Sequence, residues 1–300
     1  MFHIPVRRIA GIVLFAWATI TQAAFLDIVE NYNSLTFGNV DVRYDQIEGK
    51  VAASGSLYLE SFGVAKGVEA SDFSVVAGRN VTLINGQVKN GGIYSGGTVS
   101  LTGVTVYGDI VQNGTASPVN FAEKLSEATT LSDMYAAQAA TGTVTGSGNV
   151  TLSGTINGMN YFTIDAAKLA STGKLIVDIP DDAFAIINVS GSTVANAWGD
   201  YTSGVDADRV LFNFNEATSL TLNGSIDGSI LAAEADVTLN YGNYYGAIVS
   251  KSLSGQGELH MANFGDKTES VPEGSTVAYL LLGGIALVVI NRKKLVNNHC

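Results

Sequence analysis

One cysteine, four prolines and three histidines are all that 300 residues contain of those types. The cysteine is Cys300, the last residue, so no disulfide and no cysteine-held metal can staple the body of the chain. Of the histidines, His3 and His299 lie at the ends and only His260 lies in the body. A Ser-His-Asp triad would have to use His260, and no Gly-x-Ser-x-Gly elbow occurs. Basic residues are also scarce, 16 Lys and Arg against 27 acids. Five of the bases and one of the acids fall in the two ends, leaving 11 against 26 between them, a net −15. That balance disfavours nucleic acid and anionic lipid, whose affinity comes from Lys and Arg on phosphates. What is abundant is Gly, with Thr, Ser, Asn and Val, in a chain that is 46% hydrophobic. This composition favours strands joined by tight turns over a disordered linker.

Long apolar runs are confined to the ends. Residues 1–24 combine Arg7 and Arg8, an apolar stretch from Ile9 to Ile20, and the small-residue site Thr21-Gln-Ala-Ala24. That order is a secretory signal, the core being too short to span and stay; a buried first helix is the alternative. At the other end a hydrophobic helix is expected over residues 277–290, followed by Arg292, Lys293 and Lys294. Fourteen residues fall short of the ~20 of a stable span, and the basic cluster would stay on the cytoplasmic side. The chain thus divides into a signal (1–24), a body (25–265), a linker (266–270), a tail signal (271–294) and six last residues (295–300).

Within the body a short pattern recurs: Asn80-Val-Thr-Leu83, Thr98-Val-Ser-Leu101, Asn149-Val-Thr-Leu152, Ser219-Leu-Thr-Leu222 and Asp236-Val-Thr-Leu239, each followed by a glycine. Period-2 alternation puts the apolar pair on one side and the hydroxyls Thr82, Ser100, Thr151, Thr221 and Thr238 on the other. Their spacings of 18, 51, 70 and 17 lie close to multiples of 17 or 17.5. A second motif, as in Gly92-Ile-Tyr94, Gly108-Asp-Ile-Val111, Gly228-Ser-Ile-Leu-Ala232 and Gly246-Ala-Ile-Val249, repeats at 17 or 18. A short fixed period signals a solenoid, because one coil cannot bury its apolar side alone and stacked coils can. The expected fold is all-β, a right-handed β-helix, with Asn-Gly corners supplying positive φ. A β-sandwich is the alternative.

One glycine-free segment, Ser117 to Ala140, breaks the pattern. Phe121, Leu125, Ala128, Leu131 or Ser132, and Tyr135 recur at spacings of three and four, which predicts one packed helix alongside the solenoid, about five turns long. Ser117 is its expected N-cap, with Pro118 at the first helical position.

Two resemblances rest on these residues. Val271-Pro-Glu-Gly-Ser-Thr276, the apolar stretch and the basic end resemble the PEP-CTERM sorting signal of Gram-negative bacteria. The sorting motif is then Val271, Pro272 and Glu273, with Gly274 where a second proline is usual. That resemblance implies processing by an exosortase-type enzyme, a membrane hold through the C-terminal helix before cleavage, and delivery to the cell surface or extracellular matrix. The stretch from Val210 to Gly224, through Gly228–Ala232, Ala235–Leu239, Gly246–Leu253 and Gly257–His260, is similar to the choice-of-anchor A domain, as is Gly49–Gly55. It implies an adhesive β-helix akin to ice-binding proteins, with a helix beside the solenoid. Ala233-Glu234 departs from the family's proline-containing turn.

No constellation points to catalysis or a cofactor. Glu258 and His260 share a strand side without an evident third metal ligand. Glu234 and Asp236 have the strand spacing that a polysaccharide-cleaving pair could use, and no Asp-x-Asp-x-Asp-Gly calcium loop occurs. Tyr241, Tyr244 and Tyr245 are expected as an exposed loop cluster suited to stacking on sugars, or else a cover for the solenoid side. Ice binding would require two regular Thr columns, of which Thr98, Ser100 and Thr102 supply one local fit. The reading is a non-enzymatic exported adhesin for extracellular polysaccharide or a cell surface, with no nucleic acid partner; an ice-binding protein and a polysaccharide-active enzyme are the alternatives.

Overall fold

The computed structural model describes residues 23–30, 32–196 and 200–265. The signal through residue 22, the linker, the sorting motif and the C-terminal hydrophobic stretch lie outside the described residues. Among the described residues no helix is long and apolar enough to cross a membrane.

Parallel ladders build the body into a β-helix. Val51, Val75, Ile93 and Ile110 are successive register partners, and so are Phe212, Ile230 and Ile248. The 17- and 18-residue repeat is thus the step between adjacent coils, and its apolar residue stacks inward. Ile93, Ile230 and Ile248 are at most 1% exposed, each burial worth about 1.5–3 kcal/mol. Among the described residues only Thr143–Ser147 pairs antiparallel, folding back on Asn149–Ser153 to close one end. Parallel stacking of this kind excludes the sandwich.

Coils do not stack in chain order. Strand Tyr32–Thr36 lies between Lys50–Ala53 and residues 248–250, so the first strand sits in the middle of the solenoid. From there it winds outward to Ile110–Val111. It then passes through a helix and returns inward from Asn149–Ser153 until its last coil meets its first. A seam therefore joins the N- and C-terminal sets of coils.

The connecting helix, α2, spans Phe121–Ala136, following α1 at Ala23–Val29 and preceding α3 at Ala166–Ala170. Three α-helices rather than one accompany the strands among the described residues. Ala128, Leu131, Ser132 and Tyr135 form the buried stripe of α2, as the spacing predicts. Its start differs. Asn120 is the N-cap, its Oδ1 accepting from the Glu123 amide at 3.3 Å. Ser117 instead caps a local turn, its Oγ accepting from the Val119 amide at 3.1 Å. The hydroxyl satisfies the nearer amide, so the helix begins three residues later.

Polar contacts fix α2 on the strand side beneath it. Asn213, fully buried, donates from Nδ2 to the Ser132 carbonyl at 2.9 Å and to Asn188 Oδ1 at 2.8 Å. Its Oδ1 accepts from Ser132 Oγ at 2.6 Å, while Asn188 donates to the Tyr135 carbonyl at 2.9 Å. Lys124 ties α2 to α1 through Glu30, at 3.4 Å.

Coil length varies. Phe162, Ile187 and Phe212 step by 25 residues rather than 17, with α3 inserted at a corner of the first of these coils. The numerical match of 70 to four short coils is therefore accidental.

Candidate functional site

Three sides of the coil present side chains to solvent or to the helices, and one is covered by α2. On a second side, Thr221, Thr238, Ser254, Asp41, Tyr58, Thr82 and Ser100 follow one another in register. Four of the five sequence-derived hydroxyls thus share a ladder, in two pairs separated by Ser254, Asp41 and Tyr58. Thr151 does not join them; it lies opposite Ile176 on a ladder of the third side, where the chain re-enters the solenoid after α2. The neighbouring column reads Arg43, Glu60, Ile84 and Thr102.

The middle of this side is a charged, aromatic network. Arg43 Nε donates to Asp41 Oδ1 at 3.1 Å, and its Nη1 lies 4.0 Å from Glu60 Oε2. The guanidinium sits 5.0 Å from the Tyr58 ring centre, and Tyr58 Oη donates to Glu60 Oε2 at 2.9 Å. That hydrogen bond to Glu60, then burial, holds the Tyr58 phenol above its ordinary range. Strand alternation puts Asp41, Arg43, Tyr58 and Glu60 outward while Val40, Val42, Leu57 and Leu59 pack inward. This outward patch is legible in the sequence as strand alternation, although it lies outside the recurring Val-Thr-Leu pattern.

At the corner beyond Arg43 the chain turns through left-handed backbone at Tyr44, Ser61, Asn85 and Gly103, with φ of 54°, 55°, 54° and 66°. Tyr44 is 64% exposed, as is Tyr241, another left-handed residue with φ of 52°. A bulky side chain in that region is uncommon and strained. The expected tyrosine loop is instead part of strand Ser229–Tyr245. Tyr244 points into the core, its Oη donating to the Leu222 carbonyl at 3.0 Å, and Tyr245 stacks on His260 with ring centres 4.5 Å apart. Tyr241 is the most exposed of the three, at 64% against 36% for Tyr245.

Past the corner, a groove of about 480 Å³ crosses the third side. Gln46, Asn85, Gln87, Thr105, Lys66 and Lys89 line it, over a floor that includes Gly63, Gly86 and Gly103. Phe62 lies under Gly86, where a Cβ would meet its ring at 2.5 Å. Sequence reading missed the groove, because its lysines sit on adjacent coils 23 positions apart and belong to neither repeat.

The remaining candidates are occupied by local partners. His260 lies 3.2 Å from Glu48 Oε1 through Nδ1, across the seam, and 3.4 Å from Glu258 Oε2 of its own strand through Nε2. Burial pushes the Glu48 carboxyl up, but the Met261 amide, His260 and Lys66 together hold it below its ordinary value. Among the described residues no group of three or more His, Cys, Asp or Glu is placed to hold a metal. Asp236 accepts from Ser252 Oγ at 2.7 Å and pairs with Lys251 at 3.3 Å. The Ser252 hydrogen bond, opposed by burial and aided by Lys251, lowers its pKa, the opposite of what a general acid at neutral pH needs. Glu234 is exposed. The Ala233-Glu234 segment is an irregularity inside a continuous strand, between Ala232 and Asp236.

An ice-binding protein from the Antarctic ascomycete Antarctomyces psychrotrophicus is similar at 15% identity and a TM-score of 0.46, over 79% of this chain and 98% of that one. One from an Antarctic biological consortium is similar at 14% identity and 0.44, over 88% and 95%. A third, from an Antarctic bacterium of the Flavobacteriaceae, has 12% identity and 0.34, over 77% and 81%. No curated protein matches the sequence. The family model described as "Putative Ice-binding-like adhesive domain" matches residues 25–261, most of the chain. The chain belongs to the ice-binding-like adhesive domain family.

Proposed function

We propose that this chain is an exported adhesive protein whose β-helix holds extracellular polysaccharide through the outward side bearing Asp41, Arg43, Tyr58 and Glu60. The observation that carries this reading is the interruption of the hydroxyl ladder by that network. An ice-lattice surface requires a flat, repetitive array of small hydroxyls. Here a guanidinium, two carboxylates and a phenol stand in its centre. Saccharides, by contrast, offer hydroxyls that pair with fixed charged groups and ring faces that stack on tyrosine. The sorting tail delivers the domain to the cell surface or matrix, where an exosortase-type enzyme releases it from a transient membrane hold.

A pull-down from biofilm matrix with the purified full-length chain, read alongside ice-crystal shaping, tests the proposal. Capture of polysaccharide with normal ice growth supports it. Thermal hysteresis without saccharide capture overturns it in favour of ice binding.

A further inference from the structure

The geometry points to the groove on the third side as a subsite for an anionic sugar unit, a reading that rests on the saccharide proposal and names the ligand's charge. In register, Gln46, Gly63 and Gln87 occupy three consecutive coils. Gly63 has no side chain, and the gap it leaves between Gln46 and Gln87 is overhung from one side by the Gln46 amide, 3.9 Å from where a Gly63 Cβ would stand. Each amide can both donate to and accept from a hydroxyl. The gap ends at Lys66 and Lys89, which follow the register partners Val64 and Val88 on adjacent coils. The Lys89 amide donates to the Val64 carbonyl at 2.9 Å, holding the two lysine-bearing segments side by side.

Charge sets the ligand class. The body of the chain carries a large acidic excess, yet no carboxylate is among the described residues lining the groove. Lys66 helps keep the nearby Glu48 carboxyl ionised, and Glu48 is also engaged by Met261 and His260. Two ammonium groups beside paired amides suit a ring carrying a carboxylate or sulfate next to free hydroxyls. The volume falls in the ~300–1,000 Å³ range usual for small-ligand sites.

Titration calorimetry of the full-length chain with oligogalacturonate, a dextran sulfate oligomer and neutral dextran tests this. Oligogalacturonate or the sulfated oligomer should bind and neutral dextran should bind more weakly, which also separates carboxylate from sulfate recognition. Lys66→Gln with Lys89→Gln should weaken the anionic ligand about tenfold or more, the loss expected for charge-assisted hydrogen bonds, whereas Lys251→Gln should not. If the double lysine variant fails to fold, Gln46→Ala with Gln87→Ala supplies the same comparison. Binding of the anionic oligomers that is undiminished in these variants, or preference for neutral dextran, overturns the groove assignment and leaves the saccharide proposal standing. Absence of binding to every saccharide overturns both.

Discussion

Thr36 Oγ1 and Ser250 Oγ lie 3.3 Å apart in the interior, although 214 residues separate them in sequence. They sit where the first coil stacks on the last, with Leu35 opposite Val249 one position earlier. The solenoid is therefore one body made of two sets of coils that close on each other. Calorimetry should show one transition, lowered in Leu35→Ala by the roughly 2–5 kcal/mol of a buried Leu truncation, since Leu35 is 1% exposed. Two separated transitions in the wild type would contradict the seam.

Asn213 holds α2 in place. Replacing it with Ala strips partners from Ser132 and Asn188 together, in the interior. The expected cost is about 2–3 kcal/mol, the penalty for stranded buried polar groups. Chemical denaturation measures it; a loss under about 0.5 kcal/mol, the range of ordinary surface changes, would mean the helix is held by packing alone.

Glu48 makes the seam sensitive to acid. Its carboxyl is held below the ordinary value of 4.5 in the folded chain. A depressed carboxylate adds stability above its unfolded pKa, and that stability is lost as pH falls through the folded value. Glu48→Gln should therefore lower Tm at pH 7, with the deficit shrinking once pH drops below the ordinary carboxylate range. A deficit equally large at pH 3 and pH 7 would show that packing, not charge, is what the substitution removes.

The tail makes a separate prediction. Mass spectrometry of protein recovered from outside the cell should find a C-terminus upstream of residue 277, without Arg292, Lys293 and Lys294. Peptides containing Arg292, Lys293 and Lys294 in the exported protein would contradict cleavage of the tail.

Much of the fold was legible because stacking imposes a period. The step from Ile93 to Ile110 and from Ile230 to Ile248 is both a sequence interval and a register pair. The α2 stripe was legible for the same reason, from helical spacing. What escaped has no local period. The seam pairs residues from opposite ends of the body, α3 lengthens the coil from Phe162 to Ile187, and the strand holding Thr151 stacks on the third side rather than the second. Tyr244 escaped because its inward direction depends on a corner irregularity between Asn240 and Asn243. Lys66 and Lys89 become neighbours only when Val64 stacks on Val88.

Binding to an immobilised polysaccharide array, compared between the wild type and Arg43→Ala with Tyr58→Phe, decides whether this side of the solenoid holds saccharide. Arg43 is about half exposed, so its loss should leave the fold intact. The wild type should be retained on at least one polysaccharide and the variant about tenfold less, the scale of one charge-assisted contact. Wild-type retention that the variant matches would contradict the assignment of this side, and no retention on any polysaccharide would contradict saccharide adhesion itself.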